Sequence, residues 1–180
     1  IEKMAAITPT DKPYMKTGVL ETWKKRIPWL LILMISATFT GRIISHYEAA
    51  LASYVVLTAF IPMLMDTGGN AGSQASVTVI RGIALGEVQF KDTLKVIWKE
   101  LRVSLLLGIT LSAVCFGKLM LIDKLYAVEN GYLIAAVVCV TMLVTVVIAK
   151  IIGCTLPLIA KKCRLDPAVV ASPFITTIVD

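Results

Sequence analysis

The segment PMLMDTGGNAGSQ, residues 62–74, sits within an otherwise apolar run from Ala49 to about Leu85, and its surroundings decide the fold. Of the 180 residues, 57% are hydrophobic and 17% charged, with a mean hydropathy of +0.82. An ordinary soluble domain carries about 25% charged residues. So few charges cannot cover a globule of this size, and most of the exterior must face lipid or another subunit. A hydrocarbon core about 30 Å thick takes about 20 helical residues per crossing, which leaves room for about five or six crossings with short loops. The expected architecture is a single all-α, polytopic membrane domain, and residues 62–74 are a polar insertion inside the bilayer.

A carboxylate near the bilayer interior costs about 2.5–3.5 kcal/mol on insertion scales, and every unpaired amide adds to this. The polar side chains must therefore face a cavity or a partner helix. Gly68, Gly72 and Ser76 recur every fourth residue, a small-residue face suited to close helix packing. Packing does not require Asp66, Asn70 and Gln74, which recur at the same interval and align a carboxylate and two amides in one stripe. The whole run is too long for one straight crossing, and with Pro62 in it a tilted or locally broken helix is expected.

Toward the N-terminus, Ile1 to Arg26 reads as a polar, amphipathic lead ending in a basic cluster, with Pro9 and Pro13 interrupting any long helix. Trp23 falls at interfacial depth. The lead lacks the plan of a cleavable signal peptide. Spans are expected at about 27–45, 49–85, 101–122, 133–159 and 167–180, with Pro28 in the first turn of the first. The fifth is still in progress at Asp180, as in a piece of a longer chain. Lysine and arginine concentrate in the lead, in the connection 81–102, and at Lys161, Lys162 and Arg164, whereas the alternate connections hold only Lys118 and Lys124. This asymmetry predicts a cytoplasmic N-terminus. The net charge of +6 comes from these flanking residues, not from a basic stripe, so no nucleic-acid partner is expected. Cys115, Cys139, Cys154 and Cys163 lack metal or disulfide spacing and are expected to be reduced.

A second polar group ends the chain: Asp166, Pro167, Ala168, Ser172, Pro173, Thr176, Thr177 and Asp180. Asp166 before Pro167 has the form of a helix N-cap. Pro173 lacks an N–H and crowds the Val169 carbonyl, which leaves carbonyl oxygens in that turn available to a ligand. Asp180 stands about 21 Å beyond Asp166 at about 1.5 Å per residue, well inside the membrane, with the Ser172 and Thr176 carbonyls within two turns of it. Oxygen donors suit hard cations, and the only histidine, His46, lies outside the apolar runs, which argues against zinc or copper. Mg²⁺ keeps most of its waters and is commonly held by only one or two carboxylates, which suits a lone Asp180 in a polar pore. Two facing Asp180 side chains would repel unless a cation lay between them, which hints at two chains. Glu48, at the outer mouth, either attracts cations or is an ordinary solvated loop carboxylate. Lys150 is expected to snorkel or pair near the cytoplasmic end, and Glu87, Asp92 and Glu100 to form a solvated helix face. With no nucleophile elbow, HExxH, P-loop or Rossmann glycine pattern, no enzyme is expected.

Taken together, PMLMDTGGNAGSQ with Arg81, Lys99–Glu100, Asp166–Pro167–Ala168, Pro173 and Asp180 resembles the MgtE magnesium transporters and channels, related to the solute carrier 41 family, over nearly all of the chain. The resemblance implies a homodimer of five-helix domains in the cell inner (plasma) membrane, with the second and fifth helices lining a pore on the dimer axis. It places the Mg²⁺ contacts at Asp180, at the backbone of Ser172 and Thr176, at Asn70 and, at the cytoplasmic mouth, at Asp166. Pro62, Asp66, Gly68, Gly69, Gln74 and Pro173 become pore-lining positions. It also implies cytoplasmic N and CBS domains in the parent protein, joined through a connecting (plug) helix whose end falls within residues 1–26, with residues 27–180 as the pore domain. Hydrated Mg²⁺ is then the expected cargo, entering the cytoplasm passively. The alternatives are a membrane scaffold dimerising through its small-residue helix, a broader divalent cation transporter, and a proton- or sodium-coupled carrier.

Overall fold

The computed structural model describes residues 14–168 together with Ile175, Thr177 and Ile178. Among these, all regular structure is helical: α1 (Val19–His46), α2 (Glu48–Ser53), α3 (Ile61–Ala84), α4 (Thr93–Leu121) and α5 (Gly131–Lys162), joined by short 3-10 turns. Three segments are long and apolar enough to cross a membrane: Val19–His46, Phe90–Leu121 and Gly131–Lys162. The 24 residues of α3 would suffice in length, but the polar run inside it lowers its hydropathy. Most of the expected fifth span lies outside the described residues.

α1 starts at Val19, so the end of the polar lead is helical and continuous with the first span. Pro28 consequently sits inside the helix and not in its first turn, and its missing N–H leaves the Lys24 carbonyl without an intrahelical donor. No residue of α1 is buried. The helix stands beside the others across a groove in which Leu33, Ala37 and Gly41 face Met65 of α3 and Thr177.

The expected break in the second apolar run occurs upstream of the polar segment. α2 ends at Ser53, Tyr54 leaves helical geometry at φ −141° and ψ 65°, and a 3-10 stretch Val55–Phe60 leads into α3. Pro62 then falls in the first turn of α3, where it has no intrahelical donor to lose; a continuous helix would have pressed its ring onto the Thr58 carbonyl. From Ile61 to Ala84 the helix is unbroken, so residues 62–74 form one regular face after another.

α3, α4 and α5 make the core. Phe60, Ala71, Cys115, Leu119, Ile134, Val138 and Met142 pack together at one end, and Ala75, Val79, Cys154 and Leu158 with Val96 and Ile97 at the other. This pairing makes α3 parallel to α5 and α4 antiparallel to both. Between the two clusters the helices touch through small residues. A Cβ on Gly153 would overlap the Gly72 carbonyl oxygen, and one on Gly72 would lie 3.0 Å from the Ala149 carbonyl oxygen and 2.7 Å from Ile175 Cγ2. Such close backbones gain dispersion contacts that bulkier side chains would prevent, which matters where lipid removes the hydrophobic drive. On the α4–α5 seam the Ser112 hydroxyl donates to the Cys139 carbonyl at 2.8 Å, and the Cys139 thiol donates to the Ser112 carbonyl at 3.4 Å. All four cysteines are free thiols.

Candidate functional site

α3 has two faces of opposite character. Gly68, Gly69, Gly72, Ala75, Ser76 and Val79 are buried, whereas Pro62, Asp66, Asn70 and Gln74 are exposed. Four-residue spacing advances 400° around the axis, so each set forms a gently winding stripe with about 6 Å of rise per step. Both readings of the segment therefore hold at once: small residues seat the helix on α5, and the polar residues stand on a face that no described residue covers. Gly68 and Gly69, expected among the pore-lining positions, are buried on the packed face instead.

Within the stripe the backbone is satisfied by the helix itself. Thr67 Oγ1 donates to the Met63 carbonyl at 2.7 Å and Thr78 Oγ1 to the Gln74 carbonyl at 2.8 Å, so the threonines turn back onto α3. Asp66, Asn70 and Gln74 are left to meet whatever lies outside. Among the described residues no three histidine, cysteine, aspartate or glutamate side chains gather into a cluster able to hold a metal ion.

The second constellation is described only in part. Asp166 is exposed, and its Oδ1 accepts the Ala168 N–H at 3.0 Å, the capping geometry expected of an Asp-Pro helix start. Ile175 is fully buried and packs on Gly72, against the packed face of α3. Ser172, Pro173, Thr176 and Asp180 lie outside the described residues. Glu48 is the exposed first residue of α2.

Lys150 pairs, one of the two outcomes expected of it, but with a partner that was not expected. Glu100, expected on a solvated face, is 8% exposed and accepts a hydrogen bond from Lys150, itself 5% exposed, at 3.5 Å across α4 and α5. A lysine inside an apolar span needs a counter-charge, and that was the available signal; only the antiparallel register identifies Glu100 as the partner.

Long lipid-compatible helices, a polar helix packed among them and a buried ion pair define a polytopic helical membrane protein. The family model for MgtE, described as a divalent cation transporter, matches residues 61–180, and the chain belongs to this family. It is 33% identical over 180 residues, all of its own length, to the magnesium transporter MgtE of Thermus thermophilus, covering 38% of that protein. It is 33% identical over 156 residues to the Bacillus subtilis magnesium transporter MgtE, covering 87% of this chain and 33% of the relative. The Enterococcus faecalis magnesium transporter MgtE is 29% identical over 176 residues, 98% of this chain and 38% of the relative. The match thus spans 33–38% of the length of these relatives.

Proposed function

We propose that this chain is the membrane passage of a Mg²⁺ transporter, carrying the hydrated ion passively into the cytoplasm between two copies of the domain. The observation that carries the reading is the exposed stripe Asp66, Asn70 and Gln74 on a helix otherwise embedded among apolar spans. Left against lipid, the carboxylate alone would cost about 2.5–3.5 kcal/mol, so the stripe needs water or a partner helix across from it, and a water-filled passage meets that need for all three polar side chains. Amides and carboxylates bond the hydration shell of Mg²⁺ without stripping it. Each elementary charge moved through 100 mV gains about 2.3 kcal/mol, and a divalent ion about twice that, so no coupled reaction is needed.

In this scheme Asn70 on α3, together with Asp180 and the backbone of Ser172 and Thr176 on the fifth span, contacts the hydrated ion. Asp66, Gln74, Pro62 and Pro173 line its route. Asp166 marks the cytoplasmic mouth and Glu48 the outer one. The N-terminus is cytoplasmic, the end of a connecting helix and an interfacial lead fall within residues 1–26, and cytoplasmic N and CBS domains regulate the whole protein from that side. The resident membrane is the cell's inner membrane. The magnesium transporters named above support Mg²⁺ as the cargo; the same oxygen donors admit other hard divalent ions, which makes a broader divalent cation transporter the second reading.

The test is Mg²⁺ uptake by the full-length protein in liposomes with an internal Mg²⁺-sensitive dye. Asp180→Ala and Asn70→Ala should each reduce uptake at least tenfold while the elution volume of the assembled protein stays unchanged. Equal loss of assembly and uptake would favour the scaffold alternative, and undiminished uptake would remove the passage.

A further inference from the structure

We infer that the end of the bundle where α4 begins and α5 stops is a binding surface for the phosphate headgroup of anionic phospholipid. Two elements distant in sequence build it. The Lys162 ammonium, in the last turn of α5, lies 4.4 Å from the ring centroid of Phe90, just ahead of α4. That contact seats the Phe90–Asp92 turn, which carries the exposed Lys91, beside the end of α5 that carries Lys161 and Lys162. About two and a half turns into α4, the Arg102 guanidinium lies 5.8 Å from the Trp98 ring centroid, with Trp98 itself 59% exposed.

Asp92 and Glu100 do not neutralise this surface, and the exposed Glu87 and Asp166 stand in the loops that flank it. Asp92 accepts the Gln89 N–H at 3.2 Å and pairs with Lys95 at 3.8 Å, and Glu100 is turned inward to Lys150. Among the described residues no carboxylate stands within ion-pair distance of Lys91, Lys99, Arg102, Lys161 or Lys162. The opposite end differs: Lys118 is paired with Asp123 at 2.9 Å. Positive charge left open on one end fits a polyvalent anion.

A lipid, not a free phosphate, is the fitting source because apolar surface adjoins the charges. Leu94, 80% exposed, Trp98 and Arg102 follow one another at four-residue spacing on one face of α4, immediately before its apolar run. A tryptophan and an arginine at that border sit at headgroup depth, the indole against the glycerol region and the guanidinium free to take a phosphate bidentately. The surface needs neither orientation of the protein nor the proposed cargo to be correct.

The experiment is electron paramagnetic resonance of spin-labelled lipids with the full-length protein in phosphatidylcholine bilayers. Spin-labelled phosphatidylglycerol should associate at least about threefold more strongly than spin-labelled phosphatidylcholine. Lys91→Gln/Arg102→Gln/Lys162→Gln together should bring the two to parity, while Lys91→Arg/Arg102→Lys/Lys162→Arg keeps the preference. If the glutamine variant fails to reconstitute, the wild type decides: its preference must fall between 50 and 500 mM NaCl. Equal association of both lipids, a preference indifferent to salt or to the glutamine variant, or its complete loss to 10 mM glycerol 1-phosphate would overturn the proposal, the last by assigning the surface to soluble phosphates.

Discussion

The Lys150 ammonium and the Glu100 carboxylate meet at 3.5 Å between α4 and α5, with side chains only 6% and 11% exposed. Neither charge has another described charged group within ion-pair distance. Removing one partner strands the other in a low-dielectric seam, so Lys150→Met or Glu100→Leu alone should cost about 3–5 kcal/mol. The double substitution should recover most of that loss, because the pair's desolvation cost disappears with it. Unfolding in a graded mixture of mild and denaturing detergent measures all three variants. A double variant no better than the worse single one would contradict the pairing.

Gly153→Ala should destabilise by about 1–3 kcal/mol, since its new methyl would run into the Gly72 carbonyl and force α3 from α5. Gly108→Ala should cost less, as its Cβ would come 3.3 Å from a movable group, Leu143 Cγ. Gly41→Ala and Gly117→Ala, with nothing within 4 Å, should be neutral or gain about 0.5–1 kcal/mol from helix propensity. The order of the four midpoints, not any single value, is the check.

Asn70→Cys and Gln74→Cys on a background with Cys163→Ser should react with a charged, membrane-impermeant methanethiosulfonate, and the reaction should block Mg²⁺ uptake. Leu106→Cys, 71% exposed in the wild type on α4, should stay unreactive because its exposure is to lipid. The contrast separates an aqueous face from an apolar one, which exposure alone does not. Protection of both α3 positions would mean that a partner helix, not water, covers the stripe.

Among the native thiols only Cys163 is exposed; Cys115 and Cys154 are buried and Cys139 is half-buried on Ser112. A water-soluble maleimide should therefore label the folded protein at Cys163 within minutes, and Cys115 and Cys154 only after denaturation. Peptide mass mapping before and after denaturant reads the result. Rapid labelling at Cys154 would show that the α3–α5 seam opens.

The sequence by itself determined the class of solvent, the helical architecture and the existence of a two-faced helix. Composition is a sum over residues and needs no partner to be read, and four-residue recurrence of Gly68, Gly72 and Ser76 beside Asp66, Asn70 and Gln74 follows from helix geometry alone. Tertiary structure decided which stripe meets α5 and which stays open, because both have the same period and differ only in what lies across from them. It also placed the break at Tyr54, where the demands of Pro62 are met upstream, and turned Glu100 inward to Lys150. Those outcomes depend on the register of one helix against another, a relation between residues far apart in the chain that no local pattern encodes.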